Sequence, residues 1–339
     1  MIRKHMQITA KARESAMTKK ILYYLFLCTL MAGCTSQKQG GMEEKPLSEK
    51  QIHNALMDAK PPQQFGFNVY QTGAGIAMSG SARLHPRHMA EVPLETADMP
   101  VIKMSGISSR MKMNALLDPA AAESWLSYNT AKSFRTTFLG LDGRNIPYRG
   151  PAVMGQVPAF AAVVTQLRID QLFIENAPVY VRMASGSLGP LSRGIQKPAI
   201  NGIIGYDILM NFEYIQLNMM TRQAIFSATT AYTPDEARLT GQAAIVTIPG
   251  LGLAVDGAIA GQAVPILLDF AGNYDFARSD VNTQTTKQIS LGNVVYLNVP
   301  TIYGNTVDGY PRAGLRMLGK YIVTICPRAG LVYFERPGR

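Results

Sequence analysis

The sequence predicts an all-β chain in which one strand arrangement is built twice. Three observations carry this. From Phe65 onward the chain is made of short runs rich in Val, Ile and Tyr, each ended by Gly, Pro or Asp, and few segments sustain a 3.6-residue period. The stretches "MPVIKMSGISSRMKMNALLDPAAAESWLS" and "LGLAVDGAIAGQAVPILLDFAGNYDFARS" line up, each with a strand, a small-residue turn and a second strand ending in Leu-Leu-Asp. The two halves also close alike. "INGIIGYDILMNFEYIQLNMMTRQAIFS" and "AGLRMLGKYIVTICPRAGLVYFE" each place an apolar pair before a glycine (Gly205, Gly319), then a strand, a turn and a last strand.

Length and composition allow this. A chain of 339 residues has room for two domains. With 47% apolar and 17% charged residues, 30 Gly and 20 Pro, it reads as globular and loop-rich rather than disordered. A chain of this size buries roughly 70–75% of its unfolded surface, enough for a substantial core. The formal charge of +10 is concentrated at the start. Residues 1–33 hold six Lys/Arg and one Glu, which leaves 27 basic against 22 acidic residues beyond them. These are scattered, with no basic run interleaved with aromatics, so no nucleic-acid partner is expected.

In order along the chain, "MTKKILYYLFLCTLMAGC" has a basic start, an apolar core from Ile21 to Met31, and Ala32-Gly33 before Cys34. The core is shorter than the ~20 residues that span a bilayer and fits a secretory signal over residues 1–33. Small residues before a cysteine resemble the bacterial lipobox. That resemblance implies lipidation of Cys34, attachment to the membrane through the lipid, and, with Thr35 rather than Asp following, an outer-membrane address in the bacterial envelope. Cys28 lies in the signal, so Cys326 is left without a partner in the exported domain, and no internal disulfide is expected. Residues 34–64 begin polar ("TSQKQGGMEEKPLSEKQ") and read as a tether, with a short helix in "EKQIHNALMDAK". A β extension is expected over 65–93, a first lobe over 94–230, a linker "TTAYTPDEARLTG", and a second lobe over 240–337.

The strand ends raise a chemical question: why does an apolar run stop on an acid, twice, at Asp118 and Asp269? A carboxylate taken out of water without a partner is costly. The Leu-Leu-Asp-x-Ala pairs, with the later apolar-Gly segments and closing hairpins, resemble the retropepsin-like and pepsin-like aspartic peptidases over about residues 94–336. The resemblance implies two barrel-like lobes, each carrying one catalytic aspartate on an Asp-Thr/Ser-Gly turn. Asp118 and Asp269 would then meet, share a proton and titrate as a pair. The ionised member would act as base on a water while the protonated member polarises the scissile carbonyl. The implied partner is an extended polypeptide held by strand-like hydrogen bonds. The sequence departs from that pattern. Pro119 and Phe270 stand where a hydroxyl is expected, and Ala120 and Ala271 where the family has glycine. Two readings therefore stand side by side: an endopeptidase working through Asp118 and Asp269, and a catalytically degenerate relative that binds peptides or serves as a structural envelope lipoprotein.

Other patterns point to no further chemistry. "HPRH" (His85, His88) has no companion ligands, so it reads as a solvated turn and no metal is expected. There is no Gly-x-Ser-x-Gly, and the Gly-rich stretches at 73–80 and 185–194 lack a phosphate-loop Lys-Ser/Thr, so no cofactor is expected. Trp125 is expected to pack beside the first turn, residues 143–160 to form a flap or a plain hairpin, and the methionines at 104–113 and 219–220 to fill core.

Overall fold

A computed structural model describes residues 45–338 except 73–74, 86–88, 109, 142–143, 148–156, 189–197, 280–283 and 305–308. The expected signal peptide and Cys34 lie outside the described residues. Strands hold 49% of the described residues and helices 10%, so the all-β expectation is borne out.

The chain is already packed at Lys45, where Lys45–Pro46 pair antiparallel with Ala184–Ser185. Helix α1 (Glu49–Leu56) follows. The Ser48 side chain accepts from the Gln51 amide, and the Gln51 side chain returns a bond to the Ser48 amide. This capping box fixes a helix whose Ile52 and Leu56 lie against the core. The expected tether of residues 34–64 is therefore corrected from Lys45 onward: its apolar positions and cap dock it. The short helix expected there is present.

After the extension ending in β1 (Met89–Pro93) come β2 (Val101–Ser105), β3 (Lys112–Leu117), β4 (Trp125–Ser127), helix α2 (Tyr128–Ser133), β5 (Ala159–Ile169), β6 (Leu172–Arg182) and β7 (Gly202–Ile204). Six of these strands close a barrel in the order β6-β4-β7-β3-β2-β5, with β5 pairing back onto β6. Strands β3 and β4 follow each other in the chain yet are not neighbours. Between them lies β7, parallel to β3 (Ile203 opposite Leu116) and antiparallel to β4 (Ile203 opposite Trp125). A strand enclosed in this way is buried on both faces, and Gly202, Ile203 and Ile204 are all buried. The end of the stretch 143–160, expected to form a flap or a plain hairpin, enters the barrel hairpin β5–β6, which runs over Ala159–Arg182. The middle of the expected flap, 148–156, lies outside the described residues. Trp125 is buried and packs on Tyr180 at 5.3 Å between ring centres. Met104, Met113 and Met219 are core, while Met220 points to solvent.

Helix α3 (Tyr206–Leu209) leads into the hairpin β8 (Tyr214–Asn218) and β9 (Gln223–Ser227). The linker then enters β10 (Leu239–Val246), β11 (Ala254–Val255), β12 (Gly257–Ile259), β13 (Ile266–Asp269), β14 (Phe276–Arg278), β15 (Thr285–Leu291), β16 (Val294–Tyr303) and β17 (Arg312–Gly314). From β12 the ladder runs through β15, β16, β14, β17 and β13 to β11. Only Asp256 separates β11 from β12, so the ladder returns to the stretch of chain it left. Here too a late strand lies between two earlier ones: β17 is parallel to β13 (Ala313 opposite Leu268) and antiparallel to β14.

Helix α4 (Leu315–Leu318) and the hairpin β18 (Ile322–Cys326) and β19 (Leu331–Glu335) complete the chain. A six-stranded antiparallel sheet, β10-β19-β18-β8-β9-β1, joins the N-terminal extension to both closing hairpins. At its centre Gln216 of β8 lies opposite Thr324 of β18, and the Gln216 amide donates to the Thr324 hydroxyl at 3.0 Å. The core runs without a break through both halves of the chain.

One sequence alignment is corrected. Gly205 caps the N-terminus of α3, whereas Gly319 ends α4 at its C-terminus. The glycine in the position of Gly205 is Gly314, the N-cap of α4. Contact explains the choice of residue. A Cβ on Gly205 would sit 2.5 Å from the Glu123 carbonyl oxygen, and one on Gly314 would sit 2.2 Å from that of Tyr274. Glu123 and Tyr274 each lie five residues beyond a Leu-Leu-Asp aspartate.

Candidate active site

Asp118 stands immediately after the buried end of β3, and Asp269 is the last residue of β13. The chain turns in the same way at both. The Ala120 amide donates to Asp118 Oδ1 at 3.1 Å, and the Ala271 amide to Asp269 Oδ1 at 3.0 Å. These side-chain-to-backbone bonds form an Asx turn, which ends a strand sharply and gives the carboxylate a donor. Each turn is then held from the same side. The Tyr206 amide donates to the Ala121 carbonyl and the Leu315 amide to the Gly272 carbonyl, both at 2.8 Å. Alanine at 120 and 271 keeps the N–H that these turns use. The proline at 119 costs nothing here, because the bond it takes part in uses its carbonyl: the Leu253 amide donates to Pro119 at 2.6 Å.

The charge of Asp269 reaches Asp118. Asp118 as a residue is half-buried, but protein crowds its carboxyl, and burial is the first cause that pushes it up to about 7. The charge of Asp269 is the second cause. Arg312 and the amides of Ala120 and Ala121 pull the other way. The structure thus brings Asp118 and Asp269 within electrostatic reach, which answers why two apolar strands end on acids: each turn supplies amide donors, and the two sites share one environment.

The surroundings of the two carboxyls differ. Asp269 is buried, and its Oδ2 accepts the Tyr274 hydroxyl and lies 3.9 Å from Nη1 of Arg312. Burial first, then the Asp269 charge, raise the Tyr274 phenol far above its ordinary range, so it stays a donor. The corresponding positions around Asp118 hold Glu123 and Ile203. Glu123 is not among the groups that act on Asp118. Its carboxyl is pushed up to about 7 by burial and then by the charge of Asp207. Asp207 itself, in α3, is pushed up to about 6 by burial, against hydrogen bonds from the Ser124 hydroxyl (2.6 Å), the Ser124 amide (3.0 Å) and the Ile208 amide (2.8 Å). The fully buried Ser124 hydroxyl also accepts from the Gly205 amide at 2.9 Å, tying the exit of the first turn to the cap of α3.

Sequence reasoning missed Tyr274, Arg312, Ser124 and Asp207. Tyr274 and Glu123 were legible as the fifth residue after each aspartate. Arg312 was not, because strand β17 joins β13 only through a long-range parallel pairing.

The remaining patterns add no chemistry. His85 pairs with Glu175 at 3.1 Å on the surface, and His88 lies outside the described residues. Cys326 is buried and free. Among the described residues no helix is long and apolar enough to cross a membrane. A scan of protein-family models and a search of curated proteins both return no match.

Proposed function

We propose that this chain is an aspartic-peptidase-like lipoprotein of the bacterial envelope, anchored through Cys34, that binds extended polypeptides and hydrolyses them with Asp118 and Asp269. The observation that carries the reading is the pair itself: two aspartates at matching turns of separate strand sets, with the charge of Asp269 acting on Asp118. Three relationships support an internal duplication of peptidase-like lobes. In each half a late strand lies between the strands before and after the aspartate turn. Gly205 and Gly314 meet the carbonyl five residues beyond each aspartate. The first strands of the two closing hairpins, β8 and β18, pair antiparallel with each other at the centre of the shared sheet.

In this reading a water attacks the peptide carbonyl carbon and passes one proton to the ionised aspartate. The protonated aspartate gives its proton to the carbonyl oxygen. The resulting diol collapses as the C–N bond breaks. The first aspartate's proton then goes to the leaving amine, and a diol hydroxyl proton returns to the second aspartate. No cofactor or metal takes part.

A second reading, a degenerate relative that binds peptides without cutting them or serves as a structural envelope lipoprotein, is favoured by Pro119 and Phe270. Neither supplies the hydroxyl tie that steadies such a pair. The deciding experiment incubates the purified chain with unfolded polypeptide from pH 3 to 8 and follows new N-termini by mass spectrometry. Cleavage that is lost in both Asp118→Asn and Asp269→Asn supports the peptidase. No cleavage by the folded parent at any pH overturns it in favour of the second reading.

A further inference from the structure

The two halves of the pair are not dressed alike, and the difference assigns them different work. Oxygen Oδ2 of Asp269 accepts the Tyr274 hydroxyl and lies 3.9 Å from the Arg312 guanidinium, and Oδ1 takes the Ala271 amide. Among the described residues, the Asp118 carboxyl takes backbone N–H groups alone. Where Arg312 lies opposite Leu267, beside Asp269, the first half has Ile203 opposite Leu116. Where the Tyr274 hydroxyl bonds to Asp269, the matching residue Glu123 makes no such bond to Asp118 among the described residues, and the charge that acts on its carboxyl is that of Asp207. Donors and a cation stabilise a carboxylate, whereas an apolar neighbour favours the neutral acid.

We infer that Tyr274 and Arg312 are positioning residues that hold Asp269 as the carboxylate and leave the shared proton on Asp118. The inference rests on the peptidase reading for its consequence. Asp269 takes the proton from the attacking water, Asp118 donates to the peptide carbonyl oxygen, and the order does not alternate. The asymmetry itself needs no turnover. The groups facing the pair are Arg312, Tyr274 and the Ala271 amide from the second half, and the Ala120 and Ala121 amides from the first. The Glu123–Asp207 pair is absent from the groups that act on Asp118. The upward push on Asp118 and the persistence of Tyr274 as a phenol agree with this division.

The test is a carbon-13 titration of aspartate carboxyls in the whole chain held in detergent micelles, assigned with Asp118→Asn and Asp269→Asn. Asp118 is expected to be the later of the pair to lose its proton, near neutral pH. Tyr274→Phe should raise the first step by about one pH unit, the scale of a hydrogen bond to a charged group. Arg312→Gln should raise both steps, because the guanidinium also acts on Asp118. Asp118 ionising before Asp269 in the parent overturns the inference, and this holds even if a variant fails to fold. Unmoved steps in a folded Tyr274→Phe protein also overturn it. A parent that titrates in the expected order yet cleaves no peptide would overturn the proposed activity and leave this division of roles standing.

Discussion

The Leu253 amide donates to the Pro119 carbonyl at 2.6 Å, so a residue just before β11 in the second half is bonded to the aspartate turn of the first. The same approach leaves no room beside it. A Cβ on Gly252 would stand 2.3 Å from the Pro119 carbonyl oxygen and 2.4 Å from the Ala120 carbonyl carbon. Both are backbone atoms of the Asp118 turn, so they cannot step aside as a flexible side chain can. A backbone bond therefore links the two halves where the aspartic-peptidase pattern would use hydroxyls.

Gly252→Ala is accordingly expected to force the two halves apart at the Asp118 turn. Overpacking of this kind costs about 1–3 kcal/mol. Chemical denaturation of the variant should show that loss. In the carbon-13 titration the Asp118 step should move down toward the ordinary carboxylate range, because separation weakens both the crowding and the Asp269 charge. A variant as stable as the parent would show that the halves are not held at this point.

Asp118→Asn should stabilise the protein at neutral and alkaline pH. A carboxyl whose folded value is raised, from 3.8 to about 7, binds its proton more tightly folded than unfolded. Its contribution to stability is therefore fully present below the unfolded value and is lost as pH rises through the folded one. Asparagine cannot ionise, and its side-chain oxygen still accepts from the Ala120 amide. A melting-temperature gain of about 2–4 °C at pH 8, shrinking toward pH 4, is the expected result. A loss at pH 8 would mean that Asp118 is ionised without penalty and that the pair is not coupled.

How much of this was legible beforehand follows from the range of the interactions. The Leu-Leu-Asp ends of β3 and β13 could be read because their last residues before the acid, 115–117 and 266–268, are buried on both faces and therefore apolar, so an acid right after them stands out. The closing hairpins β8–β9 and β18–β19 could be read because each shows two short apolar runs either side of turn residues, repeated in both halves. The docking of α1 could not, since Ile52 and Leu56 give too thin a stripe in a polar segment. The glycine pairing went to Gly319 because an apolar pair precedes it, as one precedes Gly205. The matching position is Gly314, recognisable only through its contact with Tyr274, a neighbour distant in sequence. Arg312 escaped for the same reason: what makes it part of the site is register between β17 and β13.

The Cys34 anchor is tested apart from the fold. A short apolar run ending in Ala-Gly-Cys predicts that the mature chain begins at a lipid-modified Cys34. Intact-mass measurement on membrane fractions should find the chain starting there with the added mass of acyl chains. An unmodified Cys34 within a longer chain would remove the anchor and leave the site argument untouched.

Ser124→Ala probes the second acid pair. The buried Ser124 hydroxyl donates to Asp207 at 2.6 Å and accepts from the Gly205 amide at 2.9 Å. Alanine removes both bonds and leaves a buried amide unpaired, a loss of about 1–3 kcal/mol. The part that depends on Asp207 has a definite sign. The Asp207 carboxyl, raised to about 6, is neutral below that pH and charged above it, and a hydroxyl donor helps chiefly the charged form. Taking the donor away should raise the Asp207 value further, so the variant's deficit should be larger at pH 8 than at pH 5. Glu123 sharpens the contrast, because its own value near 7 is set partly by the Asp207 charge, and both acids ionise in the same window. Urea denaturation at the two pH values measures the difference. An equal deficit at both would assign the Ser124 hydroxyl to the Gly205 amide alone, and Asp207 would then hold its charge through the Ser124 and Ile208 amides.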